Sequence, residues 1–175
     1  MNKPIYLIVH HSGGTDANPL ADTSNHTFEI INEYHKQKWN FKSSLGYYIG
    51  YHYFIDKNGN VTQGRADTDE GAHTKGYNAK SIGICLAGNF DATLPTPAQI
   101  EALKALLLRL SNKYGITNEN IVPHRKFANK TCYGRKLSDD WARNLVAVAA
   151  VNELAQFTTV ELINELKRRI AESDI

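Results

Sequence analysis

The chain has 175 residues, of which 22% are charged and 42% are hydrophobic, and its formal net charge is +2. This length and composition predict one soluble globular domain with a single hydrophobic core. The charge is too small to indicate nucleic-acid binding, although it suits an anionic polymer as a partner. The chain has only two cysteines, Cys85 and Cys132, and they lie far apart in the sequence. This excludes a disulfide framework.

The first predicted element is a buried strand at residues 5–9 (IYLIV), an apolar run bounded by Pro4 and by the polar sequence HHSGG. The run is too short for the hydrophobic region of a signal peptide, and no stretch approaches the roughly 20 apolar residues of a membrane span. We therefore expect a protein that is made in the cytoplasm, does not insert into a membrane, and needs another protein for its release if it acts outside.

The next segments predict a helix followed by three strands. Residues 26–39 place apolar side chains at helical spacing, which is typical of an amphipathic helix. Residues 51–55 and 61–65 predict two strands of a hairpin, because the Asn-Gly dipeptide of the intervening sequence DKNGN is a strong turn signal. Residues 81–88 (SIGICLAG) predict another buried strand.

The clearest helix is predicted at residues 97–114. Thr96 is expected to be its N-cap, and Gln99 completes a capping box with it. Pro97 suits the first helical position, and Gly115 suits the end of the helix.

Three further elements follow in the last third of the chain. Residues 121–124 (IVPH) predict a short strand. Ser138 is expected to cap a helix that runs to about Leu154. Residues 156–175 predict a separate amphipathic helix, whose capping box would consist of Thr158 and Glu161.

The C-terminal helix has one narrow apolar stripe on an otherwise charged surface, and this leaves two interpretations open. The helix packs on the domain, or it serves self-association or the binding of a partner. The residues of the stripe are Val160, Ile163, Leu166 and Ile170.

The order of these elements predicts an α/β fold. Strands and helices alternate, with one hairpin among them, which favours a central mixed β-sheet flanked by helices on both faces. We predict a single domain at residues 1–155 and the amphipathic helix at residues 156–175.

Three residues suggest a metal site. His10 follows the first predicted strand, where sites form on open α/β sheets. His124 and Cys132 lie on one loop, and imidazole and thiolate are natural ligands of zinc. Three protein ligands are typical of a catalytic zinc, which keeps a fourth position open. From the residues alone, a catalytic zinc and an unrelated grouping both remain open. Cys85 lies within an apolar strand and is expected to be a core residue.

Six stretches of the sequence resemble the zinc-dependent N-acetylmuramoyl-L-alanine amidases, the family of type 2 amidases and peptidoglycan recognition proteins, including the amidase lysozymes of T-odd coliphages. They occur in family order over roughly residues 5–135. The stretches are IVHHS (8–12), EYHKQKW (33–39), GYHYFIDKNGNVTQGR (50–65), GAHTKGYNAKSIGICLAGNF (71–90), TPAQIEALKALL (96–107) and HRKFANKTC (124–132).

The resemblance implies roles for five residues. The implied zinc ligands are His10, His124 and Cys132. The implied catalytic residues are Tyr51 and Lys130. Lys130 would stabilise the negative charge that forms on the amide oxygen, and Tyr51 would donate to the same oxygen or orient the water. Many members of the family have proline after the cysteine ligand, where this chain has Tyr133.

Three other histidines receive weaker predictions. His73 begins the specific stretch HTKGYN and is expected either to bind substrate or to contact the residues that bind the metal. His52 is expected to be structural, because neighbouring residues of a strand face opposite sides and Tyr51 would face the site. His35 shares the apolar stripe of its helix and is expected to be a half-buried histidine with its hydrogen bonds satisfied.

The implied activity is hydrolysis of the amide bond between N-acetylmuramic acid and L-alanine in bacterial peptidoglycan. The protein would then be a phage or prophage endolysin that reaches the cell wall with the help of a membrane-permeabilising partner. Three alternatives remain: a module that binds peptidoglycan without cutting it, an amidase that acts on soluble muropeptides, and an additional role in binding a phage RNA polymerase.

Overall fold

The computed structural model describes residues 3–15, 17–154 and 159–173. Within these residues, five strands form one sheet. The strands are β1 (Tyr6–His11), β2 (Tyr53–Ile55), β3 (Val61–Gln63), β4 (Ser81–Leu86) and β5 (Ile121–Pro123). The helices are α1 (Phe28–Trp39), α2 (Pro97–Tyr114), α3 (Trp141–Leu154) and α4 (Thr159–Ser173).

The sheet is mixed, as predicted, with the strand order β3-β2-β4-β1-β5. β1 pairs in parallel with β4 and β5, β2 pairs in parallel with β4, and β3 closes the hairpin in antiparallel orientation. β1 extends two residues beyond the prediction, because its pairing with β4 continues to His11. The carboxyl ends of four parallel strands therefore meet at one edge of the sheet.

Helices cover both faces of the sheet, which confirms the predicted architecture. On one face, Leu7 and Val9 of β1 pack with side chains from α2 and α3. On the other face, Phe54 and Cys85 pack against Phe28 of α1. Cys85 is thus a core residue, as expected. The members of the first cluster from α2 and α3 are Leu103, Leu106, Leu107, Leu110, Ala142 and Val146.

The ends of α2 confirm the sequence signals. The Thr96 side chain accepts a hydrogen bond from the Gln99 backbone, and the Gln99 side chain accepts one from Thr96, so the capping box is complete. Gly115 ends the helix with φ of 64°, a left-handed conformation that favours glycine.

The predicted start of α3 is wrong. The helix begins at Trp141, and residues 139–140 form a turn before it. The Tyr133 hydroxyl lies 2.9 Å from the carbonyl oxygens of both Ser138 and Asp139 and shares its one proton between them, which ties both residues to the preceding loop. Ser138 therefore lies before the turn and does not cap the helix.

The stripe of α4 is exposed to solvent where the structure describes it. The exposed fractions are 49% for Ile163, 64% for Leu166 and 56% for Ile170. Thr158 and the predicted boundary between residues 155 and 156 lie outside the described residues. Self-association through this helix stays a prediction. Among the described helices, none is both long and apolar enough to span a membrane.

Candidate metal centre

The three predicted metal ligands converge at the carboxyl edge of the sheet. His10 lies near the end of β1, and His124 follows β5, the parallel neighbour of β1, so the two rings meet with centroids 4.5 Å apart. Cys132 returns from the next loop and places its Sγ atom 3.7 Å from His10 Nδ1. One donor atom from each residue lies within 4.8 Å of the others. Such a group can hold a metal ion.

The chemistry of these three residues fits a borderline metal such as zinc. Burial, followed by the neighbouring His124 and His73, holds the pKa of His10 well below its usual value. Burial lowers the pKa of His124 to about 4, so both imidazoles are neutral and can bind through a lone pair. Burial also raises the pKa of the Cys132 thiol to about 12. A cation bound here would compensate the thiolate charge.

The loop that carries Cys132 is held by Arg125, the residue after His124. The Arg125 guanidinium donates to the carbonyl groups of Thr131, Gly134 and Leu137. The Arg125 backbone N–H donates to the Cys132 carbonyl at 2.7 Å. Sequence reasoning assigned no role to Arg125, although its position next to a candidate ligand was a signal. The peptide bond between Cys132 and Tyr133 is cis.

Asp91 holds the same loop through two further hydrogen bonds. Its carboxylate accepts hydrogen bonds from the Thr131 hydroxyl at 2.7 Å and from the Arg135 backbone N–H at 2.8 Å. Sequence reasoning missed Asp91, because the two ends of this contact lie far apart in the chain and no local pattern connects them.

His11, the neighbour of His10 on β1, also supports Cys132. Its backbone N–H donates to Cys132 Sγ at 3.5 Å, which favours the thiolate. Its ring accepts a hydrogen bond from the Phe90 backbone N–H at Nδ1. His11 thereby fixes the segment that presents Asp91.

Tyr51 lies in the wall of the cleft, but the strand argument that placed it there is wrong. Residues 51 and 52 form a bend, and β2 begins only at Tyr53, so the alternation of a strand does not apply to them. The Tyr51 ring lies 5.0 Å from the His10 ring and 5.4 Å from the His35 ring. Burial raises the pKa of Tyr51 well above its usual value, so its hydroxyl is a neutral donor.

His52 and His35 both accept hydrogen bonds from the backbone, as expected of structural histidines, although His35 is 4% exposed and therefore more buried than predicted. His52 Nδ1 accepts from the Gly83 backbone N–H, and His52 Nε2 lies 3.1 Å from the Asp69 carbonyl oxygen. His35 Nδ1 accepts from the Gly50 backbone N–H at 2.8 Å. His35 nevertheless contributes to the lining of the cleft.

Lys130 and His73 occupy different positions around the centre. Lys130 is exposed at the rim of the cleft. Its charge adds to burial in lowering the pKa of His124, and it partly opposes burial, which raises the pKa of Cys132. His73 is only 9% exposed, and its Nδ1 atom lies 3.0 Å from His10 Nε2.

The centre opens into a cleft of about 930 Å³. One wall is formed by α1, which contributes Tyr34, Lys38 and Trp39. Loops at residues 13–15, 74–76 and 127–131 form the rest of the rim. The charged side chains of the lining are mainly basic, which suits a substrate that carries carboxylates. They are Lys38, Lys75, Lys130 and Asp91.

Comparisons with known proteins agree with this geometry. A family model described as N-acetylmuramoyl-L-alanine amidase matches residues 1–136. The endolysin of Escherichia phage T7 is 39% identical over 102 residues, and the match covers 55% of this chain and 66% of the relative. The endolysin of Klebsiella phage KP32 is 39% identical with the same coverage. The chain thus spans slightly less than two thirds of these relatives.

Other relatives and solved structures extend the likeness. A peptidoglycan recognition protein of Trichoplusia ni is 38% identical over 143 residues, covering 81% of this chain and 75% of the relative. The endolysin amidase LysCS of Clostridium intestinale URNW has a TM-score of 0.64 and 32% identity, covering 77% of this chain and 78% of that one. Drosophila PGRP-LB has a TM-score of 0.62 and 26% identity, covering 78% of each chain.

Proposed function

Because the chain belongs to the N-acetylmuramoyl-L-alanine amidase family, we propose that it is a zinc-dependent peptidoglycan hydrolase that cleaves the amide bond between N-acetylmuramic acid and L-alanine. The observation that carries the proposal is the convergence of three donor atoms, from His10, His124 and Cys132, within 4.8 Å beside an open cleft. A module that only binds peptidoglycan has no need of this grouping.

The zinc ligands would be two neutral imidazoles and one thiolate, a set that leaves a coordination position open. When bound, zinc supplies Lewis acidity, which lowers the pKa of a water molecule to about 7 and polarises an amide carbonyl. His10 and His124 would not have to lose a proton to bind zinc, because burial keeps the pKa of both below the usual value.

The catalytic groups would be Lys130 and Tyr51. The Lys130 ammonium stands at the rim of the cleft and would stabilise the negative charge that develops on the amide oxygen. Tyr51 stays protonated, because burial raises its pKa, so it would act as a hydrogen-bond donor to that oxygen or to the attacking water. His73 lines the same cleft, but so little of its ring is exposed that contact with substrate would be limited to an edge.

The substrate would be bacterial peptidoglycan, and the biological setting would be lysis of a host by a phage or prophage. The basic rim of the cleft suits the carboxylates of stem peptides. The endolysins of phages T7 and KP32 are among the relatives, which supports the same role here after release to the cell wall.

The proposal is tested with purified protein and its Cys132→Ser variant. We expect about one zinc per wild-type chain, chelator-sensitive clearing of sacculi, and new amino termini on L-alanine. The variant should lose zinc and lysis together, whereas Cys85→Ala, which changes the core cysteine, should keep its zinc. Zinc-loaded wild-type protein that releases no L-alanine amino termini would refute the activity, and a wild type that binds no zinc would refute the ligand assignment.

A further inference from the structure

The two ring nitrogens of His10 face different partners. His10 Nδ1 is directed towards Cys132 Sγ, and His10 Nε2 lies 3.0 Å from His73 Nδ1. The rings of His10 and His73 are nearly perpendicular, at 89°, with centroids 5.1 Å apart. We infer that His73 is a positioning residue, which accepts a hydrogen bond from His10 Nε2 and thereby fixes His10 with Nδ1 free to bind the metal. The inference rests on the metal centre proposed above.

The direction of this hydrogen bond follows from the protons available. A neutral imidazole carries one N–H, so a His10 that offers a lone pair at Nδ1 must carry its proton at Nε2. His73 then accepts at Nδ1 and carries its own proton at Nε2, which lies 3.4 Å from Ser81 Oγ. The Ser81 hydroxyl donates in turn to the Tyr77 carbonyl. The Thr74 hydroxyl oxygen also lies 3.1 Å from His73 Nδ1.

Two glycines, Gly71 and Gly83, lack the side-chain atoms that would overlap the His73 ring. A Cβ atom at Gly83 would lie 2.5 Å from His73 Cγ, and one at Gly71 would lie 2.4 Å from His73 Cδ2. The Asn78 side chain accepts from the His73 and Thr74 backbone N–H groups and fixes the backbone. A ring confined in this way cannot swing towards a substrate, but it can hold a neighbouring ring in one orientation. Hydrogen-bond partners of this kind raise metal affinity.

His52 provides a matched control within the same region. It is also buried, and its ring centroid lies 5.7 Å from that of His73. Its ring nitrogens bond to the backbone at Gly83 and Asp69. A change at His52 therefore perturbs the same packing without removing the acceptor that serves His10.

The experiment compares His73→Asn with His73→Leu, two side chains of nearly equal shape. The asparagine oxygen can occupy the place of Nδ1 and accept the bond, whereas leucine cannot. Zinc affinity is measured by competition with a chromophoric chelator, and Co²⁺-loaded protein is examined by its visible absorption. We expect leucine to weaken zinc binding about 10–100-fold and to alter the Co²⁺ spectrum, and asparagine to restore most of both. His52→Asn and His52→Leu should not differ in zinc affinity.

Each outcome decides the inference. Equal zinc affinity for the two His73 variants would overturn it and leave the proposed function intact. A wild type that binds no zinc would overturn both. If His73→Leu does not fold, His73→Gln replaces it, because the glutamine amide reaches the position of Nε2 and leaves that of Nδ1 empty. Glutamine should then show the same loss of affinity, and wild-type affinity in that variant would contradict the inference.

Discussion

Two buried polar clusters, one around Arg65 and one around His10, differ in how their hydrogen bonds are completed. Arg65 is 1% exposed, and its guanidinium donates to the carbonyl groups of Ile49, Glu70 and Phe41 while it stacks on the Phe41 ring. Each of its three nitrogens donates to a carbonyl group of a different chain segment. This cluster therefore joins those segments and needs no ligand.

The cluster around His10 is arranged differently. His10, His124 and Cys132 direct atoms that can act as ligands towards one another, beside a cleft. Behind them, His73, Arg125 and Asp91 supply ordinary hydrogen bonds that hold the ligands and their loop. A functional site is distinguished by ligand atoms that converge and by neighbouring residues whose hydrogen bonds are complete. Buried polar residues alone do not distinguish one.

The largest expected effect is a loss of turnover when Lys130, which lines the cleft beside the His10 cluster, is changed. Lys130→Ala should lower turnover by about 10²–10³-fold, because it removes the cation that stabilises the developing negative charge. Zinc content and the midpoint of thermal unfolding should stay unchanged. Hydrolysis of sacculi at saturating substrate measures the effect, and Lys126→Ala, an exposed lysine on the preceding turn, should behave as the wild type. Normal turnover in Lys130→Ala would remove Lys130 from the mechanism.

A change at Arg65 should have the opposite profile. Arg65→Met keeps the volume but leaves buried carbonyl groups without a donor, which should cost about 2–4 kcal/mol in the free energy of unfolding. Zinc bound per folded chain should not change. Urea unfolding with chelator present measures the loss, and Arg143→Met, which removes an exposed i,i+3 pair with Asp140, should change it little. If Arg65→Met instead lost zinc while it kept its stability, the two clusters would not be separable.

The smallest expected effect concerns pH and a third polar group, Asp67. Burial acts to raise the pKa of Asp67, but hydrogen bonds from Tyr53, Lys113 and Tyr114 outweigh it and hold the pKa below its usual value. The folded pKa is thus lower than the unfolded one, so the stabilisation is complete above the unfolded value of about 3.9 and is lost as the pH falls through the folded pKa.

Asp67→Asn tests this sign. The variant should lose about 1 kcal/mol in the free energy of unfolding at neutral pH, and the difference from the wild type should shrink below about pH 4. Urea unfolding over a range of pH measures it, with zinc removed to isolate the contribution of Asp67. A difference that grows in acid would mean that the carboxylate is destabilised in the folded state.

The sequence predicted most of the fold because its signals are local. The Thr96 capping box and the apolar run of β1 depend on residues within a few positions of one another. The prediction of the metal ligands had a different basis. The spacing of His10, His124 and Cys132 did not decide between a zinc site and an unrelated grouping, and the resemblance to a family singled them out as ligands. The structure then brought their donor atoms together.

The remaining parts depend on contacts between distant segments. Asp91 reaches the Cys132 loop across a gap in sequence that no periodicity describes. The bend at Tyr51 replaced a predicted strand residue, and the anchoring of Ser138 by Tyr133 shifted the start of α3. The sequence singled out His73 as a candidate, but it did not show that its neighbour would be the His10 ring.

The order of the ligands along the chain has a consequence for synthesis. His10, on β1, leaves the ribosome before β2, β3, β4 and β5, whereas His124 and Cys132 emerge only after the whole sheet has been translated. A nascent or prematurely terminated chain that lacks the last loop contains the cleft wall and one imidazole but not the donor set of the centre. Assembly of the centre therefore waits until β5, the last strand of the sheet to be made, pairs with β1.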